Sequence, residues 1–166
     1  MKLDPIILDA LNQQVNRERQ NSVPYAAMSN RARLMALPGL THFFHESSND
    51  ELFHAQKLTK YIIARNDEVT LMALQGYVCP VTNDMATLGV TLLTAALALE
   101  EANTLKLKAL CRMAADAGDE ETSDRLIWFI REQTHSVNEI TDMVAQWGAA
   151  SRDIAAVFKL DQQLEK

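Results

Sequence analysis

Along most of the chain, apolar residues recur every three or four positions, the spacing of one face of an α-helix. The first stripe is Ile7, Leu11, Val15, Glu18, Ser22 and Tyr25. It opens at Asp4-Pro5, an N-cap acid followed by proline at the first helical position. This predicts a helix over about 5–36, carried through Pro24 even though an internal proline removes a hydrogen bond and costs about 3 kcal/mol. Pro38-Gly39 marks a turn, after which Leu40, Phe44, Leu58 and Ile62 predict a second helix over about 40–65. Ser47, Glu51 and His54 fall on that stripe. Residues 66–83 contain Gly76 and Pro80 and have no helical period. They read as a long connection whose apolar residues (Val69, Leu71, Met72, Leu74, Tyr77, Val78) pack along the other elements. Leu93, Leu97, Glu100, Leu107, Cys111 and Ala114 predict a third helix over about 84–117, stopped by Gly118. Asp119, Glu120 and Glu121 suit the start of a fourth, over about 119–147, with Trp128, Glu132, His135, Glu139 and Met143 on one face. A short fifth helix, capped by Ser151 and spanning about 151–164, carries Ile154, Val157, Phe158 and Leu160.

These elements make one all-α domain over 1–166, a four-helix bundle with an added short C-terminal helix. A structureless connection as long as 66–83 is unusual in a compact domain. It is explained if it crosses the bundle to join two parallel helices. At 166 residues the chain is long enough to bury a substantial core. Its 48% apolar and 23% charged residues exclude a disordered chain. A net charge of −6 without any Lys/Arg cluster argues against nucleic acid or an anionic membrane as partner. Cys79 and Cys111 match neither CxxC nor zinc spacing and point to a reducing compartment. No apolar run approaches membrane-spanning length, and the opening MKLDPIILDA lacks the pattern of a cleaved signal. A cytoplasmic protein is expected.

The polar residues on the apolar stripes change the picture. Carboxylates are almost never fully buried unless paired or metal-bound. The first helix offers Glu18 and the third Glu100. The second and fourth each offer a Glu-x-x-His pair, Glu51/His54 and Glu132/His135, and residues three apart on a helix point the same way. One such pair is weak evidence, since acidic amphipathic helices produce it by chance. Two pairs plus a lone glutamate on each remaining long helix form a stronger pattern. Four glutamates balance two divalent cations in a core where either set alone is prohibitively expensive. Carboxylate with imidazole suits iron or manganese better than thiolate-seeking metals, although zinc also fits. By symmetry Glu51 and Glu132 bridge the two metals, with Glu18/His54 capping one and Glu100/His135 the other. Tyr25 offers a hydroxyl to a ligand carboxylate or is an ordinary core tyrosine. Glu139, His42 and His45 read as solvated.

Several stretches resemble a known family. They are Asn16-Arg17-Glu18 with Tyr25 seven residues on, Phe43-Phe44 through Asp50-Glu51-Leu52-Phe53-His54-Ala55, Ala98-Leu99-Glu100, and Trp128-Phe129 with Glu132-Gln133. They are similar to the four helix motifs of the ferritins, and the similarity covers nearly the whole chain. The single crossover, and one Glu from each of two helices with Glu-x-x-His from the others, also resemble ferritin-like di-iron bundles. The short fifth helix is a ferritin feature and argues against the smaller Dps-type relatives. The resemblance implies a homo-oligomeric hollow shell of twenty-four subunits. Each bundle would hold a di-iron ferroxidase centre that oxidises Fe(II) with oxygen or peroxide, and ferric mineral would collect inside. By position, Glu18, Glu51, His54 and Glu100 match ligands shared across the family. Glu132 with His135 is the bacterioferritin version, whereas animal heavy chains use a glutamine like Gln133. Leu52 stands where bacterioferritins carry their haem-binding methionine, so haem is not expected there. Asp50 matches a third iron site of some bacterial ferritins, but Ser136 replaces one of its glutamates. Ser123 and Leu126 fall where animal ferritins place threefold-channel acids.

Two other functions fit the same residues. One is a discrete di-iron or dimanganese oxidase or peroxidase of the rubrerythrin or manganese-catalase kind, disfavoured by the lack of rubredoxin-like CxxC pairs. The other is a non-enzymatic shell subunit, disfavoured by a complete set of six buried ligands.

Overall fold

The computed structural model describes residues 2–80 and 82–165, and every regular element among them is helical. The helices are α1 (Pro5–Leu34), α2 (Pro38–Ala64), α3 (Met85–Asp116), α4 (Glu120–Ala150) and α5 (Ile154–Gln163). α1 runs unbroken through the buried Pro24. Near the proline, hydroxyls support the backbone: Ser22 Oγ donates to Arg19 O at 2.7 Å and Ser48 Oγ to Ser22 O at 2.9 Å. α4 continues past Gly148 to Ala150, and α5 is capped by Asp153 rather than Ser151. Asp153 Oδ1 accepts the Ala155 N–H at 2.9 Å. Ser151 Oγ instead donates back to Gly148 O.

α1 and α2 form one antiparallel hairpin, α3 and α4 another, and α1 also packs on α3. The connection from α2 to α3 returns alongside α1, so α2 and α3 run parallel. It is held by polar side chains spaced along α1 and by Val69 and Tyr77, which pack against the two core clusters as expected. Asn12 takes the Thr70 N–H and donates to Glu68 O. Asn16 takes the Met72 N–H and donates to Thr70 O. Gln20 makes both bonds with Gln75. Leu71, Met72, Leu74 and Val78 stay exposed, contrary to the packing expected of them. An extended segment must satisfy its backbone groups first, and α1 offers amides at helical spacing for that purpose.

The bundle core is layered. Tyr25, Met28, Phe44, Leu92, Ile140 and Trp147 belong to one apolar cluster, and Leu11, Val15, Leu58, Ile62, Leu107 and Phe129 to another. Between them lie buried polar side chains: Gln14, Glu18, Glu51, Glu100, Asn103 and Gln133. Trp147 lies so close to Gly89 of α3 that a Cβ there would sit 2.0 Å from the indole. α3 is long and apolar enough, by length and composition alone, to cross a membrane, contrary to the expectation that no apolar run approaches that length. Its Leu88, Leu92, Leu93 and Ala96 are buried in the bundle core.

α5 closes one end. Leu37, the N-cap residue of α2, makes no capping bond through its side chain. The buried Asp161 of α5 does so from outside, accepting the N–H of Gly39 at 3.0 Å and of Leu40 at 2.8 Å. Free amides at a helix N-terminus favour such an acceptor. Gly39 permits the approach, because a Cβ there would meet Asp161 O at 1.8 Å.

Candidate metal centre

The polar layer sits midway along the bundle because each long helix carries its polar residues at helical spacing within an apolar stripe. α1 supplies Gln14, Glu18 and Tyr25, α2 supplies Glu51 and His54, and α3 supplies Glu100 and Asn103. Ligand atoms of Glu18, Glu51 and His54 all lie within 4.8 Å of one another. His54 Nδ1 is 4.0 Å from Glu18 Oε2. Glu51 Oε2 is buried with no hydrogen-bond partner among the described residues. A buried orphan oxygen facing a second carboxylate and an imidazole fits a divalent cation. These residues can hold one.

Burial is the largest cause of a raised Glu51 pKa, and the neighbouring Glu18 and Glu100 add to it. Burial likewise lifts Glu100 to about 7, against the Tyr25 hydroxyl bond that lowers it. Tyr25 donates to the Glu100 carboxylate, the role offered for it by the sequence, and Gln133 Nε2 donates to the same carboxylate. Burial beside these acids raises the phenol as well.

On α4 the structure differs from expectation. Glu132 and His135 are both exposed, and Gln133 faces the interior. Leu126, Phe129, Gln133, Ile140, Met143 and Trp147 form the buried stripe, which turns the Glu-x-x-His pair away from the axis. One residue of register is about 100° of helix rotation. Glu132 and His135 are therefore not buried in the layer with Glu51 and Glu100. Both line the open cavity of about 490 Å³ between α2 and α4, together with Asp50 and Glu46, which leads in to Glu51, His54 and Glu100. Glu139 is exposed there too, as expected. Leu126 is fully buried.

Gln14 and Asn103 were missed as site residues. Spacing marked them, since Gln14 follows Leu11 by three and precedes Glu18 by four, and Asn103 follows Glu100 by three. The aromatic wall of the site is Trp128 and Phe129, edge-on to the His54 ring at 5.7 and 5.9 Å between centroids. Lys57 Nζ sits 3.1 Å from the centre of a Trp128 ring.

The Ferritin-like domain family matches residues 8–148. A chloroplastic ferritin of Vigna unguiculata is 35% identical over 162 residues, covering 93% of this chain and 63% of that protein. The chain thus spans a little under two thirds of the length of its plant relatives. Soma ferritin of Lymnaea stagnalis is 30% identical, covering 81% of this chain and 76% of that one. An open-pore ferritin from the archaeon Archaeoglobus fulgidus superposes with a TM-score of 0.93 at 22% identity, over 99% of this chain and 98% of the other. The chain belongs to the ferritin family.

Proposed function

We propose that the protein is an iron-storage subunit that oxidises Fe(II) to Fe(III) at two adjacent metal positions in each bundle. Oxygen or peroxide is the oxidant. The ferric product collects as mineral inside a homo-oligomeric cage of twenty-four copies in the cytoplasm. The observation that carries this reading is the convergence of Glu18, Glu51 and His54 around the unpartnered Glu51 Oε2. In this reading Glu18 and His54 hold the first Fe(II), Glu51 spans to the second, and Glu100 completes the second from α3. Tyr25 and Gln133 orient the Glu100 carboxylate. Burial keeps Glu51 and Glu100 protonated further up the pH scale than free carboxylates, so Fe(II) binding releases protons from both. The bound Fe(II) pair supplies the electrons that reduce the oxidant. Glu46, Asp50, Glu132 and His135 line the approach, where exposed carboxylates and an imidazole attract a divalent cation without trapping it.

The test is aerobic addition of Fe(II) to the metal-free protein while ferric absorbance and particle size are followed. The expected result is a fast phase saturating near two irons per chain, then slow growth of a large soluble iron-loaded particle. Fast oxidation that stops there, on a small oligomer, replaces storage by a discrete oxidase. No acceleration over buffer leaves a shell subunit.

A further inference from the structure

Three side-chain amides link Glu18 to Glu100 in a chain of hydrogen bonds with one direction. Gln14 Nε2 donates to Glu18 Oε1 and to Asn103 Oδ1, both at 2.7 Å. Asn103 Nδ2 donates to Glu18 Oε2 and to Gln133 Oε1, both at 3.2 Å. Gln133 Nε2 donates to the Glu100 carboxylate and to Glu100 O. Each amide nitrogen has two hydrogens, and in each case both are engaged. Gln14 turns its nitrogen to the Glu18 carboxylate oxygen, which accepts. Its second hydrogen then fixes Asn103 oxygen-inward, which leaves the Asn103 nitrogen for Glu18 and Gln133. With its oxygen taken by Asn103, Gln133 presents N–H groups to Glu100. Reversing any one amide would set like groups against each other in a buried layer, where an unmade bond is expensive.

We propose that Gln14 and Asn103 are positioning residues for the metal centre. They hold Glu18 by both oxygens, and Asn103 fixes the Gln133 amide so that α4 gives the centre a donor instead of an oxygen ligand. The proposal rests on the two-metal reading above. Neither residue is a ligand; both act through Glu18, Gln133 and Glu100. Because Asn103 bonds to both halves, it couples the two metal positions, whereas Gln14 serves the Glu18 side. Partners that orient metal-binding carboxylates change metal affinity by about 10–100-fold.

The experiment is anaerobic titration of the full metal-free protein with Co(II), a divalent probe that is not oxidised, read by calorimetry and by its visible absorption. Thermal melting of the metal-free form is recorded beside it. Wild type should bind two Co(II) per chain at the centre. Asn103→Leu should weaken both positions by about tenfold or more and alter the Co(II) spectrum. Gln14→Leu should weaken the Glu18 position more than the Glu100 position. If either variant melts lower yet binds both ions within about twofold of wild type, the amides only stabilise the fold and the proposal is overturned. If Asn103→Leu does not fold, Gln14→Leu decides by the same criterion. Should wild type itself bind no Co(II) at the centre, the two-metal reading fails and takes this proposal with it. If wild type binds and the variants bind equally, positioning alone is refuted.

Discussion

The two helix hairpins meet at one polar layer but equip it differently. From α1 and α2 come Glu18, Glu51 and His54, converging within 4.8 Å with one oxygen left unpartnered. From α3 and α4 comes Glu100, already engaged by Tyr25 and Gln133, while Glu132 and His135 lie exposed on the cavity that leads to it. Glu51 keeps an oxygen that no protein donor meets, which a cation relieves directly. Glu18 and Glu100 are both held by protein donors, and a cation must displace a proton from Glu51 as well as from Glu100. The hairpins differ in that open oxygen, and in the proposed two-metal reading the α1–α2 side should fill first.

Substitutions in the two hairpins can break that comparison. Glu51→Ala removes the carboxylate shared by both positions. Removing even a partner of a ligand costs about 10–100-fold in metal affinity, so losing the ligand should slow the fast phase of Fe(II) oxidation by at least ~100-fold. Stopped-flow absorbance measures this, and an unchanged fast phase would dismiss the site. Glu100→Ala should spare the α1–α2 position: anaerobic Co(II) titration should fall from two tight ions per chain to one. Loss of both ions would mean the hairpins are not separable.

The pH dependence of the metal-free fold sharpens the contrast further. Glu51 and Glu100 have folded-state pKa values above the ordinary 4.5, Glu100 at about 7. A raised acid binds extra protons in the folded state, so its contribution to stability is fully present below the unfolded pKa and lost as pH rises through the folded one. Metal-free wild type should therefore melt a few degrees lower at about pH 8 than at about pH 6. Glu100→Gln, neutral throughout, should flatten only part of that slope, because the raised Glu51 keeps its own share; a steeper slope would contradict the assignment. The smallest effect is expected from Glu132→Ala and His135→Ala, which should leave two Co(II) per chain and change the fast phase only a few-fold. Loss of an ion in either variant would put α4 back among the ligands.

How much of this is legible in the sequence depends on the element. The stripe of α1 was read without error, from Ile7 to Tyr25, because one helical period runs through it uninterrupted, and each of its residues is buried. Glu51 and Glu100 were placed inward on the same grounds. On α4 two registers compete. Trp128, Glu132, His135 and Met143 share a face, but Leu126, Phe129, Gln133, Ile140, Met143 and Trp147 make the longer apolar run. The Glu-x-x-His symmetry favoured the wrong one. Gln14 and Asn103 were overlooked because a neutral amide on a helix is ordinary at the surface, and only its partners reveal a buried one.

Local periodicity by itself determined four long helices, a connection long enough to cross the bundle, and three carboxylates that had to share one layer. Those properties follow from the spacing of residues near in sequence, which any helix of that composition would keep. Tertiary structure decided between the two registers that the sequence of α4 offers, because long-range contacts such as Trp147 on Gly89 and Phe129 beside His54 set its rotation. It also decided that Asp161, on a different helix, caps α2. At about 100° per residue, those contacts separate a glutamine inside the centre from a glutamate and a histidine at its mouth.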